Sequence, residues 1–417
     1  MRAWSPVAVP AVPGALDAPV RVFDSVTSHL QPAGPATGEA RLYACGITPY
    51  DATHLGHAFT YVSIDVLHRV WLDAGLSVQF AQNVTDVDDP LLERATATGV
   101  NWQALAAGQI DLFRDDMVAL RVLPPQRLVG VVEALDTVVD LIEVLRQQQA
   151  VYQLADPAYP DWYFSVTRAS NLLEGTGLSV AEAEQVFAER GGDPGRPGKR
   201  HQLDPLVWRQ ARPDEPSWES GLGRGRPGWH IECSAIALQA LGEDFDVQAG
   251  GRDLIFPHHP MSAAGARVAT GHRFAKVFLH TGMVGLNGEK MSKSLGNLVF
   301  VSRLVADGVD PMAIRLVLLA HHYRTDWQYT ASELSAAQAR LAAWRAAFSA
   351  PAGAPGEPVV AALRAALRAD LDSPSALAII DEWALSGGAD PVAPSLVASA
   401  ADALLGIAAP SAAVASR

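Results

Sequence analysis

Alternating strand-like and helix-like segments predict an α/β fold, in which a parallel sheet is split by a helical insertion and followed by a helical C-terminal region. Residues 41–83 have the pattern strand, helix, strand, which is one βαβ unit. The alternation resumes over residues 229–280, and nearly everything after Pro311 has helical spacing. A long segment separates the two α/β stretches, so the sheet is expected to draw its strands from both.

The N-terminal elements follow from local patterns. Residues 1–40 are rich in Pro, Ala and Gly and are expected to form a lead-in strand with loops. Residues 41–46 are mostly apolar and end in glycine, which favours a strand. A helix is expected over 54–74, ended by Gly75, and the alternation of apolar and polar residues over 77–83 predicts the second strand.

The later elements are predicted in the same way. Residues 91–154 have a helical pattern broken at Pro124 and Pro125, whereas residues 156–204 are expected to be irregular and contain a Gly/Pro-rich loop. Helices are expected over 231–241 and from Pro260, and strands over 245–249 and 276–280. The predicted divisions are a lead-in at 1–40, the first half of the α/β domain at 41–100, a mostly helical connective insertion at 101–204, the second half at 205–304 and a helical domain at 305–417.

Composition excludes several classes of protein. The 417 residues carry a formal net charge of −13, which argues against a chain that binds nucleic acid along its length. The two cysteines cannot form a disulfide framework, so a reducing cytoplasm is expected. No apolar run reaches the roughly 18 residues of a membrane helix, and the proline-rich start does not resemble a secretory signal. Without a long apolar heptad pattern, a monomer is expected.

The first chemical motif is His54-Leu-Gly-His57, at the predicted start of a helix that follows a strand. Imidazoles three residues apart lie near one face of the first turn, and the free N–H groups of a helix N-terminus suit phosphates. Gly56 would let a flat ligand ring approach the backbone. Two surface histidines or an incidental metal pair remain the alternatives for this motif in isolation.

The second motif is Lys290-Met-Ser-Lys293-Ser294, which follows a glycine-containing loop. Two lysines and two hydroxyls within five residues form a cationic clamp that can neutralise charge on a departing pyrophosphate. A solvated basic loop is the alternative. It is less favoured because the chain also contains the histidine motif.

The third pattern is a possible metal site formed by Cys45, Cys233 and His258. Two thiolates and an imidazole suit Zn²⁺, and three protein ligands leave a fourth position open for a substrate. These residues are far apart in sequence and match no compact zinc motif, so two buried thiols and loop histidines stay an alternative. His230 competes as a ligand.

Gly250 and Gly251 follow a predicted strand and precede Arg252 and Asp253. A glycine pair at this place lets a ribose or a base lie close to the backbone. An ordinary turn is the alternative.

Together these motifs resemble the paired HIGH and KMSKS signatures of the class I aminoacyl-tRNA synthetases. Residues 43–50, 225–234 and 256–259 are similar to the cysteinyl-tRNA synthetase branch, in which zinc holds the substrate thiolate. The resemblance covers roughly residues 40–345. It implies a Rossmann-like class I synthetase catalytic domain with a helical insertion and a C-terminal helical domain.

Three departures from that branch matter. Ser262 stands where a glutamate zinc ligand is expected, the C-terminal region has no obvious anticodon-binding domain, and the chain is acidic. These features resemble the sister family of cysteine ligases of mycothiol biosynthesis, whose ERGGDP signature occurs here at residues 189–194. That family activates L-cysteine with ATP as cysteinyl-AMP and joins it to the amine of glucosaminyl-inositol (GlcN-Ins), releasing AMP and diphosphate.

The resemblance implies the following roles. Cys45, Cys233 and His258 would bind one Zn²⁺ per chain, Mg²⁺ would accompany ATP, and no nucleic acid or membrane partner is implied. His54, His57, Lys290, Lys293 and Asp253 would be catalytic. The cysteinyl-adenylate contacts would be Cys45, Gly46, Ile47, Thr48, Thr60, Asn83, Val84, Thr85, Trp229, Gly251, Arg252, Asp253 and Val284.

Two other functions stay open. A short cysteinyl-tRNA synthetase would need a basic path towards the C-terminal helices, which the acidic composition does not supply. A degenerate paralogue acting as a binding module would be expected to have a damaged motif, and all motifs are intact. The 189–194 loop is either an insertion near the acceptor or a surface turn that marks the lineage.

Overall fold

The computed structural model describes residues 1–14, 19–286, 288–291 and 297–409. Its strands are β1 (Arg21–Asp24), β2 (His29–Pro32), β3 (Glu39–Ala44), β4 (Ser77–Val84), β5 (Arg127–Gly130), β6 (Val151–Gln153), β7 (Trp162–Phe164), β8 (Leu206–Gln210), β9 (Gly225–Pro227), β10 (Phe245–Gly251), β11 (Ala275–Thr281), β12 (Val284–Leu286), β13 (Glu289–Lys290) and β14 (Trp327–Tyr329). Its helices are α1 (Leu55–Asp73), α2 (Asp89–Thr98), α3 (Trp102–Ala119), α4 (Leu135–Gln147), α5 (Val180–Glu189), α6 (Trp229–Leu241), α7 (His258–Thr270), α8 (Val301–Ala306), α9 (Pro311–Leu319), α10 (Ala331–Phe348), α11 (Gly356–Arg368), α12 (Ser373–Leu385) and α13 (Ala393–Leu405).

The centre of the fold is a five-stranded parallel sheet in the order β11-β10-β3-β4-β5. It draws strands from both α/β stretches of the sequence, so the predicted split sheet and Rossmann-like class are confirmed. The strand order reverses between β3 and β10. In open α/β sheets, ligands bind at the carboxyl ends of the strands beside such a reversal.

Both faces of this sheet are covered. β10 is buried over Phe245–Gly250 without the alternation of a one-sided strand, as expected for a parallel strand between two layers. One face packs with α1 and the C-terminal helices in a single apolar cluster. The opposite face packs mainly with α6, in a cluster that includes Cys45 and Cys233.

The expectation of a helical pattern over 91–154, broken only at Pro124 and Pro125, is wrong at β5 and at β6. Strand β5 pairs in parallel with β4 and forms the edge of the central sheet. Only four residues long, it is too short for a periodic signal to separate it from the helices on either side.

The expectation of an irregular segment over 156–204 is also wrong. It contains β7, one strand of an antiparallel sheet ordered β6-β7-β8-β9, and helix α5. The side chain of Ser179 accepts a hydrogen bond from the backbone of Glu182, whose carboxylate accepts one from the backbone of Ser179, so α5 starts with a capping box. The predicted division into domains at residues 100, 204 and 304 stays a prediction.

The C-terminal helices are joined to α1 by a buried ionic network. Arg69 Nε lies 2.7 Å from Asp65 Oδ2, and Arg315 of α9 also contacts this carboxylate. Arg315 donates further hydrogen bonds to the carbonyls of Leu405 and Leu120, at 2.6 and 2.7 Å. Five N–H donors on each guanidinium allow one carboxylate and several carbonyls to be bound at once.

None of the helices in the described ranges is both long enough and apolar enough to cross a membrane.

Candidate active site

The predicted site residues converge at the carboxyl end of the central sheet. Cys45 comes directly after β3, and Gly251 ends β10, so the two lie on either side of the point where strand order reverses. The backbone N–H of Cys45 donates to the carbonyl of Ala249 at 3.0 Å, which joins the two strand ends. Helices α1, α6 and α7 begin at the same end, with His54 as the N-cap of α1.

Cys45, Cys233 and His258 form a compact cluster. Their ligand atoms all lie within 4.8 Å of one another, and all three residues are buried. The two Sγ atoms are 3.9 Å apart, too far for a disulfide. His258 Nε2 lies 3.1 Å from Cys233 Sγ. The end of β3 and the N-terminal parts of α6 and α7 therefore bring together three residues that sequence spacing alone could not join.

This donor set fits Zn²⁺. A tetrahedral zinc ion with bonds of about 2.3 Å to sulfur separates two thiolates by about 3.8 Å, close to the observed spacing. Burial and the neighbouring Cys233 raise the pKa of Cys45 well above its usual value. Burial also acts on Cys233, but hydrogen bonding from Cys45 and the nearby His258 ring hold its pKa well below the usual range. These shifts favour the thiolate form at Cys233 over Cys45, and a thiolate is the form that a metal ion binds.

His230 lies outside the cluster but contacts it. Its Nδ1 atom is 3.2 Å from Nδ1 of His258, on the side of the ring opposite to Cys233. The Trp229 ring stacks on the His258 ring, with centroids 4.4 Å apart and planes 24° apart. His230 and Trp229 thus set the orientation of the His258 ring, and the geometry favours His258 over His230 as the ligand.

Ser262 does not replace the glutamate ligand of the synthetase branch. It is fully buried, and its Oγ donates to the backbone carbonyl of His230 at 2.9 Å. Ser234 Oγ in turn donates to the carbonyl of Ser262 at 2.8 Å. These bonds tie α6 to α7, so the serine joins the two helices that carry Cys233 and His258.

Sequence reasoning missed a second set of contacts around Cys45. Gln248 Nε2 donates to Cys45 Sγ at 3.2 Å, and His259 Nε2 lies 3.2 Å from the same sulfur. His259 Nδ1 is 2.8 Å from His280 Nε2, whose ring continues to Ser25. Burial lowers the pKa of His259 well below its usual value and lowers that of His280 to about 3, so burial favours the neutral form of both rings. The sequence signal that could have revealed these contacts is Gln248, a polar side chain within the buried strand β10.

The predicted adenylate-contact loops are held together by Asn83. Its Oδ1 accepts hydrogen bonds from the Gly46 N–H at 2.9 Å and from the Tyr43 hydroxyl at 3.1 Å, and its Nδ2 donates to Thr85 Oγ1 at 3.1 Å. Thr85 N–H donates to the carbonyl of Ile47 at 2.9 Å. The loop after β3, which contains Thr48, is therefore joined to the end of β4, where Val84 is buried, and to the loop that follows it.

Glycine at position 46 is required by this packing. A Cβ atom there would lie 1.6 Å from the backbone oxygen of Asn83. The two loops can approach this closely only because the side chain is absent.

The remaining predicted contacts lie around the end of β10. Thr60 Oγ1 is 2.7 Å from Thr281 Oγ1, and a Cβ on Gly251 would lie 2.6 Å from Asp253 Oδ1, so this carboxylate is folded over the glycine. Val284 is buried in β12. The guanidinium of Arg252 is paired with Asp326 at 2.8 Å, and its contact with the adenylate stays a prediction.

The two histidines of the first motif lie side by side. Their rings stack with centroids 3.9 Å apart. His54 Nδ1 accepts a hydrogen bond from the Gly56 N–H at 3.0 Å, so this ring caps the start of α1. A Cβ on Gly56 would lie 2.8 Å from the His54 ring, which explains the glycine between the two.

The second motif is only partly described. The backbone of Lys290 belongs to β13, which pairs with β12. Lys293 and Ser294 lie outside the described residues.

Comparisons with known proteins agree with this geometry. Residues 34–339 match the family described as tRNA synthetases class I (C) catalytic domain. Methionyl-tRNA synthetase of Mycobacterium tuberculosis, solved with methionyl-adenylate, aligns with a TM-score of 0.60 at 17% identity, covering 88% of this chain and 92% of the synthetase. This likeness shows the fold.

Closer similarity is found among curated proteins named L-cysteine:1D-myo-inositol 2-amino-2-deoxy-alpha-D-glucopyranoside ligase. The ligase from Streptosporangium roseum is 56% identical over 412 residues, covering 98% of this chain and all of the relative. The one from Kribbella flavida is 58% identical over 411 residues with the same coverage. The chain therefore belongs to this family of ATP-dependent cysteine ligases, which is built on the class I tRNA synthetase catalytic domain.

Proposed function

We propose that the enzyme activates L-cysteine with ATP as cysteinyl-AMP and transfers the cysteinyl group to the amine of GlcN-Ins, with release of diphosphate and AMP. The single observation that carries the proposal is the Cys45–Cys233–His258 cluster at the strand-order reversal. A thiol-binding cluster next to a nucleotide-binding sheet edge selects a thiol-bearing amino acid for adenylation. The names of the curated relatives supply cysteine and the amino sugar as substrates.

Cys45, Cys233 and His258 would hold one Zn²⁺. When bound, this ion supplies a soft Lewis-acid position that favours a thiolate over the hydroxyl of serine. Hydrophobic contacts alone discriminate such close analogues poorly, so selectivity of this kind removes the need for an editing site. His259 and Gln248, which both contact Cys45 Sγ, help to hold this cysteine in place.

In the first step, the cysteine carboxylate attacks the α-phosphorus of ATP and diphosphate leaves. The chain contributes alignment and charge stabilisation. The N-terminus of α1, with His54 and His57, is the proposed phosphate site, because free N–H groups and the helix dipole favour anions there. Lys290 and Lys293 are proposed to close over the same phosphates, and Mg²⁺ accompanies the nucleotide as in class I synthetases generally.

In the second step, the amine of the acceptor attacks the activated carbonyl and AMP leaves. The amine must be neutral to attack, so its proton has to be removed by a base or by the leaving phosphate. Asp253, folded over Gly251 at the strand end, is proposed to bind the substrate amino group and to be a candidate for this base. Thr60 and Trp229 would complete the pocket for cysteine.

A short cysteinyl-tRNA synthetase is the second candidate, because the matched catalytic family is named for tRNA synthetases. It differs from the first candidate only in the acceptor. We propose that the enzyme is cytoplasmic, since reducing conditions there keep both cysteines as thiols. We also propose that it is a monomer and that it binds no nucleic acid.

The test is AMP release by the purified protein with ATP and cysteine, comparing GlcN-Ins with cysteine tRNA. Turnover with the amino sugar alone is expected. Turnover with tRNA alone would overturn the proposed acceptor. Asp253→Asn separates the two roles of the carboxylate, because full second-step rate in that variant contradicts the base role. Sedimentation velocity on the same sample checks the monomer.

A further inference from the structure

The 189–194 loop reaches the active site through one side chain. Arg190 follows the last residue of α5, and its Nη1 donates hydrogen bonds to the backbone carbonyls of Asp253 and Phe256. The first carbonyl belongs to the second residue of the short 3-10 turn Arg252–Ile255, and the second belongs to the residue directly after it. This turn joins β10 to α7. Asp253 is the proposed contact for the substrate amino group, and the cluster residue His258 lies two residues beyond Phe256.

The two glycines of the loop give it the shape that aims Arg190. Gly191 has a φ of +86°, a left-handed conformation that favours glycine. A Cβ on Gly192 would lie 2.5 Å from the ring of Phe187, and the Gly192 N–H donates to the carbonyl of Phe187 at 2.8 Å. The chain therefore turns back against α5 immediately after Arg190.

Asp193 anchors the other side of the loop. Its carboxylate accepts a hydrogen bond from the Tyr163 hydroxyl in β7 and lies 2.9 Å from Lys199 Nζ. The Lys199 ammonium lies over the rings of Tyr163 and Phe187, about 5 Å from both centroids. The loop is thus fixed to the antiparallel sheet, so the position of Arg190 is set by a rigid scaffold outside the central sheet.

We propose that Arg190 is a positioning residue for cysteine recognition: its guanidinium fixes the turn that carries Asp253 and leads into His258. This inference rests on the proposed activation of cysteine and deepens it. A single guanidinium binding two carbonyls of one turn limits how that turn can move. The Asp253 carboxylate then meets the cysteine amino group at a constant distance from the thiol-binding cluster. Through Asp253, the motif would act on the amino-acid side of the reaction.

The test is cysteine-dependent exchange of diphosphate into ATP, which reports the first step whatever the acceptor is. Arg190→Gln is expected to raise KM for cysteine by about tenfold or more, as loss of charge-assisted hydrogen bonds implies, with KM for ATP unchanged. Arg190→Lys, which keeps one charged donor group, should recover part of the effect. Guanidinium ion at millimolar concentration should lower the KM for cysteine of Arg190→Ala, a rescue that a merely misfolded variant would not show.

Arg196→Gln is the matched control. Arg196 belongs to the same connecting segment, but its guanidinium binds Asp156 and the Tyr159 carbonyl, away from the turn. The Arg196→Gln substitution should therefore leave KM for cysteine unchanged. Equal KM values for cysteine in Arg190→Gln and the wild type would overturn this inference but not the proposed function. An equal rise in KM for cysteine in Arg196→Gln would do the same. Absence of exchange in the wild type would contradict the proposed function itself.

Discussion

His258 Nε2 lies 3.1 Å from the sulfur of Cys233, although one residue sits near the start of α7 and the other within α6. The same ring presents its Nδ1 atom to His230 at 3.2 Å. Since the two nitrogens of an imidazole are chemically distinct, the contact on one side fixes which nitrogen faces the sulfur. The His258 ring is thereby held in the orientation that the proposed role as a metal ligand requires.

The metal content of variants follows from this arrangement. Cys233→Ser is expected to lose bound zinc, because a hydroxyl is a poor ligand for this ion. His230→Ala keeps all three ligands but loses the partner that orients His258, so its zinc affinity should fall about 10- to 100-fold. Elemental analysis after dialysis and competition with a chromophoric chelator measure the two effects. Full zinc content in Cys233→Ser would contradict the assigned ligand set.

Gly46→Ala should abolish the first step while leaving secondary structure intact. The added Cβ would collide with the backbone oxygen of Asn83 at 1.6 Å and force the loops after β3 and β4 apart. We expect diphosphate exchange to fall by at least about 100-fold, since a displacement of 1 Å can cost that much in a positioned reaction.

Gly108→Ala is the control for that substitution. Gly108 lies in α3 with open space around its Cα, so the alanine should stabilise the helix by about 1 kcal/mol and leave exchange unchanged. Similar exchange rates in the two variants would show that the loops tolerate separation.

Asp116 makes stability depend on pH. This buried carboxyl lies beside Thr53, just before His54, and burial raises its pKa to about 7. The unfolded chain releases this proton near pH 4, whereas the folded chain keeps it until about pH 7. Its contribution to stability is therefore full below pH 4 and declines as pH rises to 7, with a slope of up to about −1.4 kcal/mol per pH unit.

Asp116→Asn should remove that slope and raise the free energy of unfolding at pH 8. Urea denaturation between pH 4.5 and 8 provides the measurement. Asp115→Asn, an exposed carboxylate on the same helix, should change the slope much less. The same pH dependence of stability in the wild type and in Asp116→Asn would contradict the raised pKa of Asp116.

The extent of prediction from sequence differed between elements for physical reasons. The β3–α1–β4 unit was predictable because Ser77–Val84 and the long helix before it have clear periodicity. β5 was not, because four residues carry too little pattern. Helix α5 left a readable sign in the pair Ser179 and Glu182, which the surrounding glycines and prolines masked.

The candidate site was likewise only partly predictable from the sequence. Residue types and family resemblance named Cys45, Cys233 and His258, but their approach to within 4.8 Å depends on which strands adjoin in the sheet. The contacts of Gln248 and Arg190 come from packing between segments distant in sequence. No local spacing encodes a side chain that reaches the backbone of another segment.

The Asp65–Arg315 contact bears on how the chain could be divided. On α1, Asp65 contacts Arg315 as well as Arg69, and Asp73 pairs with Arg364, so both carboxylates have partners from the last third of the protein. Expression of residues 1–304 alone would leave Asp65 and Asp73 without those cations. An active enzyme would then require fragment complementation, with the two pieces associating before the histidine motif is held in place. The C-terminal helices are thus tied by buried ion pairs to the same helix whose N-terminus carries the histidine motif.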